Sequence, residues 1–211
     1  MAAGSGFAKL FEDLGACAIV PGGQTMNPSI EELVHAAASC QSEKVILLPN
    51  NPNVILTAQQ AQSLAKANIQ VIPTRTICEG VAAMVAFNAD ADLDVNVGGM
   101  KEAADAIHTI EVTRAVRSTR VNGLEVAEGQ AIGLVDGNLV NAGDSVADVA
   151  LMGLDRVGAG DHEVVTLYRG DGVSEVEGRD LAERITERWP DLQVDTVDGG
   201  QPHYPYLISV E

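Results

Sequence analysis

A short apolar run, a polar turn and a helix-like segment follow one another three times in the first half of the chain. The apolar runs cover residues 16–20, 45–49 and 70–73. Short runs of this kind are typical of buried strands in a parallel sheet. Because each run leads through a polar turn into a helix start, the order predicts three βα units. We therefore expect an α/β fold with a parallel sheet in this half.

Polar residues three apart mark the predicted helix starts. In a capping box, two such side chains each bind the backbone N–H of the other. The expected boxes are Ser29 with Glu32, Thr57 with Gln60, and Thr76 with Glu79. The helix faces expected to be buried carry Ala58, Ala61, Leu64 and Ala65 in the second helix, and Val81, Met84 and Val85 in the third. An apolar stripe from Leu93 to Ile107 predicts a further helix, weakened at Gly98 and Gly99 by about 1 kcal/mol each.

The three turns are expected to meet at one edge of the sheet. Open α/β sheets bind ligands beyond the carboxyl ends of their strands, where helix N-termini present free N–H groups. We therefore predict a ligand-binding or docking crevice there, without a catalytic residue. The residues assigned to it are Gly22, Gly23, Gln24, Thr25, Asn27, Asn50, Asn51, Asn53, Thr74 and Thr76. The same turns are equally compatible with capped βα loops that bind nothing.

The second half has a different pattern. Residues 110–117 alternate between apolar and polar side chains, as in a half-exposed strand, and Asn122-Gly123 and Asp136-Gly137 are strong hairpin signals. Together with later runs they predict a mixed or antiparallel sheet of about six strands with two helices. The predicted helices cover residues 145–154 and the segment with Leu181, Ile185 and Trp189; the later strands cover 163–167, 192–197 and 206–210. We expect a parallel α/β lobe over residues 1–108, including the bridging helix, and a sheet lobe over 109–211.

Charge and hydropathy exclude several classes of partner. The chain has 13 basic and 30 acidic residues and a net charge of −17, which repels phosphate backbones and anionic lipid. No apolar stretch approaches the roughly 20 residues that span a bilayer. The first residues lack the basic and apolar segments of a signal peptide. We therefore expect a cytoplasmic protein that binds no nucleic acid and does not insert into membranes.

Motifs for catalysis or metal binding are absent from the sequence. Cys17, Cys40 and Cys78 have no metal-ligand spacing and are predicted to be free thiols in a reducing compartment. The four histidines are equally scattered. Neither the phosphate-binding pattern G-x-x-x-x-G-K-[ST] nor the nucleophile pattern G-x-S-x-G occurs. The residues alone predict no catalytic centre and no metal site.

Five segments, in this order, resemble the C-terminal region of FakA, the kinase subunit of bacterial fatty acid kinase. They are GGQTMNPS at 22–29, LPNNPN at 48–53, PTRT at 73–76, VTRAVR at 112–117 and GGQPHYPY at 199–206. Such proteins are also described as dihydroxyacetone-kinase-like or as Dak-type phosphatases. The resemblance covers nearly the whole chain, and the combination of segments is specific although no single one would suffice.

The resemblance implies a DegV- or FakB-like fold, with a parallel α/β lobe beside a six-stranded lobe. It also implies that the ATP- and magnesium-binding domain of the family precedes this region, so that the chain is a C-terminal fragment without its own cofactor. The region would dock a FakB-type fatty-acid-binding protein, and a homodimer would form through the parent protein. His203 and Tyr204 are assigned to the crevice on this ground; the alternative is that their stiff loop only packs the last strand.

Two functions of different class remain open. One is a FakB-docking module, not catalytic alone, of an ATP-dependent fatty acid kinase. The alternative is a DegV-like protein that itself binds a fatty acid or a small carboxylate. A deep apolar tunnel between the lobes would favour the second, and a packed crevice the first. An enzyme in isolation, such as a phosphatase, is disfavoured because the nucleotide and metal motifs are absent.

Overall fold

The computed structural model describes residues 1–23, 27–65, 67–121 and 123–211. These residues form two compact units. The first consists of Met1–Ala3 with Phe7–Ile107, and the second of Gly4–Gly6 with His108–Glu211. The first unit holds a small parallel sheet and the second a six-stranded mixed sheet, which confirms the predicted α/β class.

Helices dominate the first unit. In chain order its elements are α1 (Ser5–Asp13, which begins in the second unit), α2 (Ile30–Ser39), β1 (Lys44–Leu47), α3 (Pro52–Leu64), β2 (Asn68–Val71), α4 (Ile77–Val85) and α5 (Leu93–Ala106). Strands β1 and β2 pair in parallel, with Val45 opposite Ile69 and Leu47 opposite Val71. Both apolar runs are thus confirmed as parallel strands, each starting one or two residues earlier than predicted.

The first predicted strand, at residues 16–20, is wrong. Within the described residues this segment forms no ladder, and Pro21, directly after it, makes a parallel bridge with Ala2. The Ala2 N–H donates to the Val20 carbonyl at 3.1 Å, and the Gly22 N–H donates to the Ala2 carbonyl at 3.2 Å. Both bonds to Ala2 come from residues 20 and 22, and Pro21 offers no N–H to a strand on its other side. The described part of the unit therefore has two parallel strands, and the apolar run is a half-buried extended segment.

Local capping explains where the helices start. Ser29 Oγ accepts the Glu32 N–H at 3.2 Å, and the Glu32 carboxylate accepts the Ser29 N–H at 2.7 Å, which confirms this capping box. The same backbone N–H, followed by the Ser29 hydroxyl, lowers the pKa of the Glu32 carboxyl. Thr76 Oγ1 likewise accepts the Glu79 N–H, which is one half of the predicted box, while the Glu79 carboxylate accepts the Arg75 N–H. The box at Thr57 is wrong because α3 starts earlier, at Pro52, and Thr57 lies inside it.

Two residues assigned to buried helix faces are exposed. In α3 the buried stripe is Val54, Ala58 and Ala61, at spacings of four and three, which turns Leu64 to solvent with 70% exposure. In α4, Val81 is buried but the last residue, Val85, is 68% exposed. The stripe of α5 is confirmed, with Met100 and Ala104 buried. Gly98 and Gly99 lie on its exposed side, where the helix continues through them.

The second unit is built on a six-stranded sheet in the order β7-β6-β3-β10-β8-β9. Its strands are β3 (His108–Arg114), β6 (Ala131–Val135), β7 (Asn138–Gly143), β8 (Val164–Arg169), β9 (Gln193–Asp198) and β10 (Tyr206–Val210); a separate hairpin joins β4 (Thr119–Val121) to β5 (Leu124–Val126). Only β8 and β9 of the sheet pair in parallel. The sheet strands and helices of this half are thereby confirmed, with shifts of at most three residues at their ends.

One face of this sheet carries both helices. Helices α6 (Val146–Val157) and α7 (Glu175–Arg188) share a core with Ile110, Leu167 and Ile208, which lie side by side on the three central strands. Asp136 and Gly137, both with positive φ, form the β6–β7 turn as predicted. In the other hairpin, Gly123 has a φ of 84°, and Asn122 lies outside the described residues.

Candidate functional site

A cluster of neutral polar side chains lies beyond the carboxyl ends of β1 and β2. The Asn50 N–H donates to Thr74 Oγ1 at 3.0 Å, and the Thr74 hydroxyl donates to Asn50 Oδ1 at 2.7 Å. Asn50 Nδ2 donates to the Met1 carbonyl at 2.8 Å. Thr74 is 1% exposed. These bonds join the turn after β1 to the turn after β2.

The backbone at Asn50 requires a glycine on the neighbouring helix. Asn50 adopts a left-handed conformation, with a φ of 54°, which asparagine tolerates better than most residues. This conformation directs its side chain against the first turn of α4. A Cβ at Gly80 would lie 2.1 Å from Asn50 Oδ1. Gly80 therefore leaves the space in which the Asn50 side chain reaches Thr74.

Asn51 brings a third turn to the cluster. Its Oδ1 accepts the Asn53 N–H at 2.9 Å and caps α3, while its Nδ2 donates to the Gly23 carbonyl at 3.1 Å. Asn51 is buried. Of the other predicted residues in this unit, Gly22 is buried, Asn27 is exposed and Thr76 caps α4. Gln24 and Thr25 lie outside the described residues.

The two remaining predicted residues belong to the second unit. His203 and Tyr204 lie in the loop between β9 and β10, and His203 has a φ of 69°. The His203 carbonyl accepts the Thr113 hydroxyl at 2.6 Å, which ties the loop to the end of β3. Gln201 Nε2 donates to the Tyr204 carbonyl at 3.1 Å and to the Tyr168 carbonyl at 3.0 Å. The loop is therefore held by hydrogen bonds on both sides.

The chemistry of the polar cluster is that of a rigid scaffold. Asn50, Asn51 and Thr74 carry amides and a hydroxyl, which neither gain nor lose a proton near neutral pH. Their described polar atoms bind one another or backbone groups. Such groups position turns and offer neutral hydrogen bonds, but they cannot serve as general acid or base.

An apolar cavity of about 420 Å³ lies in the first unit, and the sequence did not predict it. Its volume falls within the range of small-molecule sites, about 300–1,000 Å³. The extended segment at residues 16–20 forms one wall, and α2, β1 and the α4–α5 region form others. Its lining includes Ile19, Leu33, Val45, Met84, Phe87 and Met100. Lys44, Asp92 and Asn96 are polar members of the same lining.

Two cysteines of the cavity wall form a disulfide in this structure, unlike the free thiols that the sequence predicts. Cys17 lies in the extended segment, and Cys40 directly follows α2. Because the segment passes the end of this helix, the two Cα atoms lie 5.4 Å apart, within the range that a disulfide bridges. Cys78 is buried in α4 and keeps its thiol.

The described residues hold neither a metal-binding cluster nor a membrane-spanning helix. In these parts of the chain, no group of three or more His, Cys, Asp or Glu side chains is arranged to hold a metal ion. The described helices also include none with the length and apolar character needed to cross a bilayer.

The fold is similar to three kinds of solved structure. The fatty acid kinase B3 protein of Streptococcus pneumoniae, loaded with linoleic acid, has a TM-score of 0.64 at 14% identity, over 87% of this chain and 76% of that one. A fatty-acid-binding DegV family protein of Thermus thermophilus has a TM-score of 0.62 at 11% identity, over 97% of this chain and 84% of that one. The dihydroxyacetone kinase of C. freundii has a TM-score of 0.63 at 13% identity, over 99% of this chain and 47% of that one. At such identities the likeness shows the fold alone, and it confirms the predicted DegV-like architecture.

Sequence similarity identifies the family. Protein YloV of Bacillus subtilis is 35% identical over 211 residues, which is 100% of this chain and 38% of that protein. The chain thus spans less than half the length of the curated relatives it matches. The C-terminal family of FakA-like fatty acid kinase proteins matches residues 1–211. The chain therefore belongs to the FakA-like fatty acid kinase family, as the C-terminal region of its members.

Proposed function

We propose that this region docks a FakB-type fatty-acid-binding protein for a fatty acid kinase. The observation that carries the proposal is the match of residues 1–211 to the FakA-like C-terminal family. A B-type protein of such a kinase has been solved with linoleic acid bound. A kinase that phosphorylates a carboxylate held by a second protein needs a surface that binds this protein.

In this proposal the region supplies binding and no catalytic group. ATP and magnesium are assigned to the remainder of the longer parent protein, since the chain corresponds to 38% of its relative from B. subtilis. The neutral, mutually bonded cluster around Asn50 and Thr74 is consistent with a scaffold role. The chain alone, given ATP, magnesium and a loaded FakB-type protein, is expected to form no acyl phosphate.

Titration calorimetry tests the docking role. The chain is titrated with a FakB-type protein of the same organism, loaded with oleate. We expect saturable binding with a Kd in the micromolar range or tighter, which corresponds to about −8 kcal/mol or below. A protein of similar size and charge without the DegV fold serves as the control titrant. An absence of binding heat at about 100 μM of both proteins, a hundredfold above this Kd, would contradict the proposal.

The apolar cavity supports a second candidate function, the binding of a fatty acid or another apolar carboxylate by this chain. Its 420 Å³ volume and apolar lining suit an aliphatic chain, and Lys44 offers a cation for a carboxylate. Native mass spectrometry of the chain purified from cells would show retained lipid directly.

A pair of variants tests whether the cavity is the binding site. Ala36→Phe places a ring at the cavity wall, and Ala38→Phe, on the exposed side of the same helix, is its matched control. Equal oleate binding by both variants would reject the cavity as the site.

We also infer that the region works in the cytoplasm, as expected for a kinase that uses ATP. Cytosolic disulfides are usually transient because glutathione and thioredoxin keep thiols reduced. The Cys17–Cys40 pair is therefore expected to be largely reduced in the cell and to oxidise during aerobic purification. Alkylation of thiols in freshly lysed cells, followed by mass spectrometry, tests this location: an alkylated pair supports it, and an intact disulfide contradicts it.

A further inference from the structure

The turn between β3 and β4 exposes an apolar side chain among arginines. Val116 is 89% exposed, and residues 116–121 are all exposed. Arg114, Arg117 and Arg120 fall within seven residues, although the chain has only 13 basic residues in 211. Between Glu111 and Glu125 the sequence contains no acidic residue. Glu125 and Glu128 lie beside the turn, the latter through the bond of 3.0 Å from its N–H to Ser118 Oγ, but the three arginines outnumber them. The turn is therefore a locally basic and apolar patch on an acidic protein.

The loop before β10 lies alongside this turn. Strands β3 and β10 are antiparallel, with Tyr206 opposite Val112, so the residues before Tyr206 run beside those after Val112. The hydrogen bond of 2.6 Å from the Thr113 hydroxyl to the His203 carbonyl shows this contact directly. Pro202 and His203 are exposed. Two of the segments that resemble the kinase family therefore form one surface at this end of the sheet.

The arginines of the turn differ in how they are engaged. The Arg114 guanidinium donates to the Gly129 carbonyl at 3.0 Å, which fixes the side chain without neutralising it. Arg120 Nη1 lies 3.6 Å from Glu125 Oε1, but both side chains are highly exposed, and an ion pair of this kind adds little to stability. Within the described part of the chain Arg117 takes part in none of the ion pairs. Arg114 and Arg117 therefore keep their charge available to an external anion.

We propose that Arg114, Val116, Arg117, Pro202 and His203, here called the basic turn face, bind an acidic patch on the partner protein. This inference rests on the proposed docking function and names the surface that performs it. Arginine is enriched in protein interfaces, and complementary charge speeds and orients association. Val116 supplies the apolar contact that the arginines surround.

The structure favours a protein over an anionic membrane as the occupant. A net charge of −17 repels an extended anionic surface, whereas a protein with a small acidic patch meets only the basic turn face. The face is also held in shape before binding, by the bonds from Thr113 and Arg114 and by Pro202 and Pro205. Little conformational entropy is then lost when the partner binds.

Charge reversal tests the basic turn face. Binding of an oleate-loaded FakB-type protein is measured for the wild-type chain, for Arg117→Glu, and for Val116→Asp. We expect each variant to bind at least tenfold more weakly, and wild-type binding to weaken as salt is raised. Arg179→Glu is the matched control, because it makes the same charge change on an exposed residue of α7. The control is expected to stay within twofold of wild type.

The outcomes separate this inference from the docking function. If the wild-type chain binds and Arg117→Glu binds like Arg179→Glu, the docking function stands and the basic turn face is wrong. If the wild-type chain does not bind, both fail. Arg117-dependent binding to phosphatidylglycerol vesicles, without binding to the protein partner, would replace the partner by a membrane and overturn the inference. Far-ultraviolet circular dichroism checks folding, and Arg117→Gln provides a milder variant if the charge reversal unfolds the chain.

Discussion

Reduction of the Cys17–Cys40 disulfide is expected to destabilise the first unit by about 3 kcal/mol. The two cysteines are separated by 23 residues in sequence. Closing a loop of this length removes about 11 cal/mol/K of entropy from the unfolded chain, or about 3.4 kcal/mol at 25 °C. The folded unit itself should change little, because α2 and β1 keep their hydrogen bonds and their buried faces.

Hydrogen exchange measures this loss inside the first unit. Leu33 and Ala37 are buried on α2, so their amides exchange when this unit opens. A loss of about 3.4 kcal/mol corresponds to exchange about 300-fold faster after reduction. The variant with both Cys17→Ser and Cys40→Ser should exchange like the reduced protein and should not respond to reductant. Titration of thiols in denaturant should find one per oxidised chain, from Cys78.

Two results would contradict a stabilising Cys17–Cys40 disulfide. Oxidised and reduced chains with equal exchange at α2 would mean that the unfolded chain is already restricted, so that closing the loop removes no entropy. Three reactive thiols in the aerobically purified, denatured protein would mean that Cys17 and Cys40 do not pair.

Three further predictions each concern a single residue. Gly80→Ala should lower the free energy of unfolding and disrupt the Asn50 turn, because the added Cβ would lie 2.1 Å from Asn50 Oδ1. In contrast, the Cβ added by Gly98→Ala meets no atom within 4 Å on an exposed helix face, so this variant should raise the free energy of unfolding by about 0.5–1 kcal/mol. Urea unfolding of the two variants tests whether the first is less stable and the second more stable than wild type. Burial raises the pKa of Tyr206 from 10.0 to about 12. Between these values the unfolded chain has lost a proton that the folded chain keeps, so stability should fall as pH rises from 10 to 12, and Tyr206→Phe should reduce this slope.

The parts of the fold that the sequence predicted are those with local causes. Ser29 and Glu32 cap α2 because both bonds lie within one helical turn. The Asp136-Gly137 turn follows from two adjacent residues that accept positive φ. The expected box at Thr57 is wrong because a capping pair three residues apart is a weaker signal here than Pro52, a residue that favours the first position of a helix.

Features that depend on distant segments were not predictable in the same way. An apolar run at residues 16–20 shows that the segment is partly buried, but pairing needs a neighbouring strand with free hydrogen-bonding groups. The Cys17–Cys40 pair depends on how this segment passes the end of α2. The cavity is lined by side chains from many separate segments, so no short motif encodes it.

Part of the candidate site follows from strand register. Leu47 is opposite Val71 in the parallel pair, and Asn50 and Thr74 each lie three residues further on. Equal distances beyond a parallel pair place the two residues side by side, which agrees with their hydrogen bonds. The sequence could not show that Gly80 makes room for the Asn50 side chain, because this depends on how α4 packs beside the turn.

Hydrogen–deuterium exchange of the chain, alone and saturated with an oleate-loaded FakB-type protein, tests the docking role most directly. It needs no substitution and reports on every peptide at once. We expect slower exchange on binding at residues 114–121 and 202–205, with α7 unchanged. Protection that appears only around the cavity segment at residues 16–20 would favour the lipid-binding alternative. Identical exchange with and without the partner, at every peptide, would contradict docking.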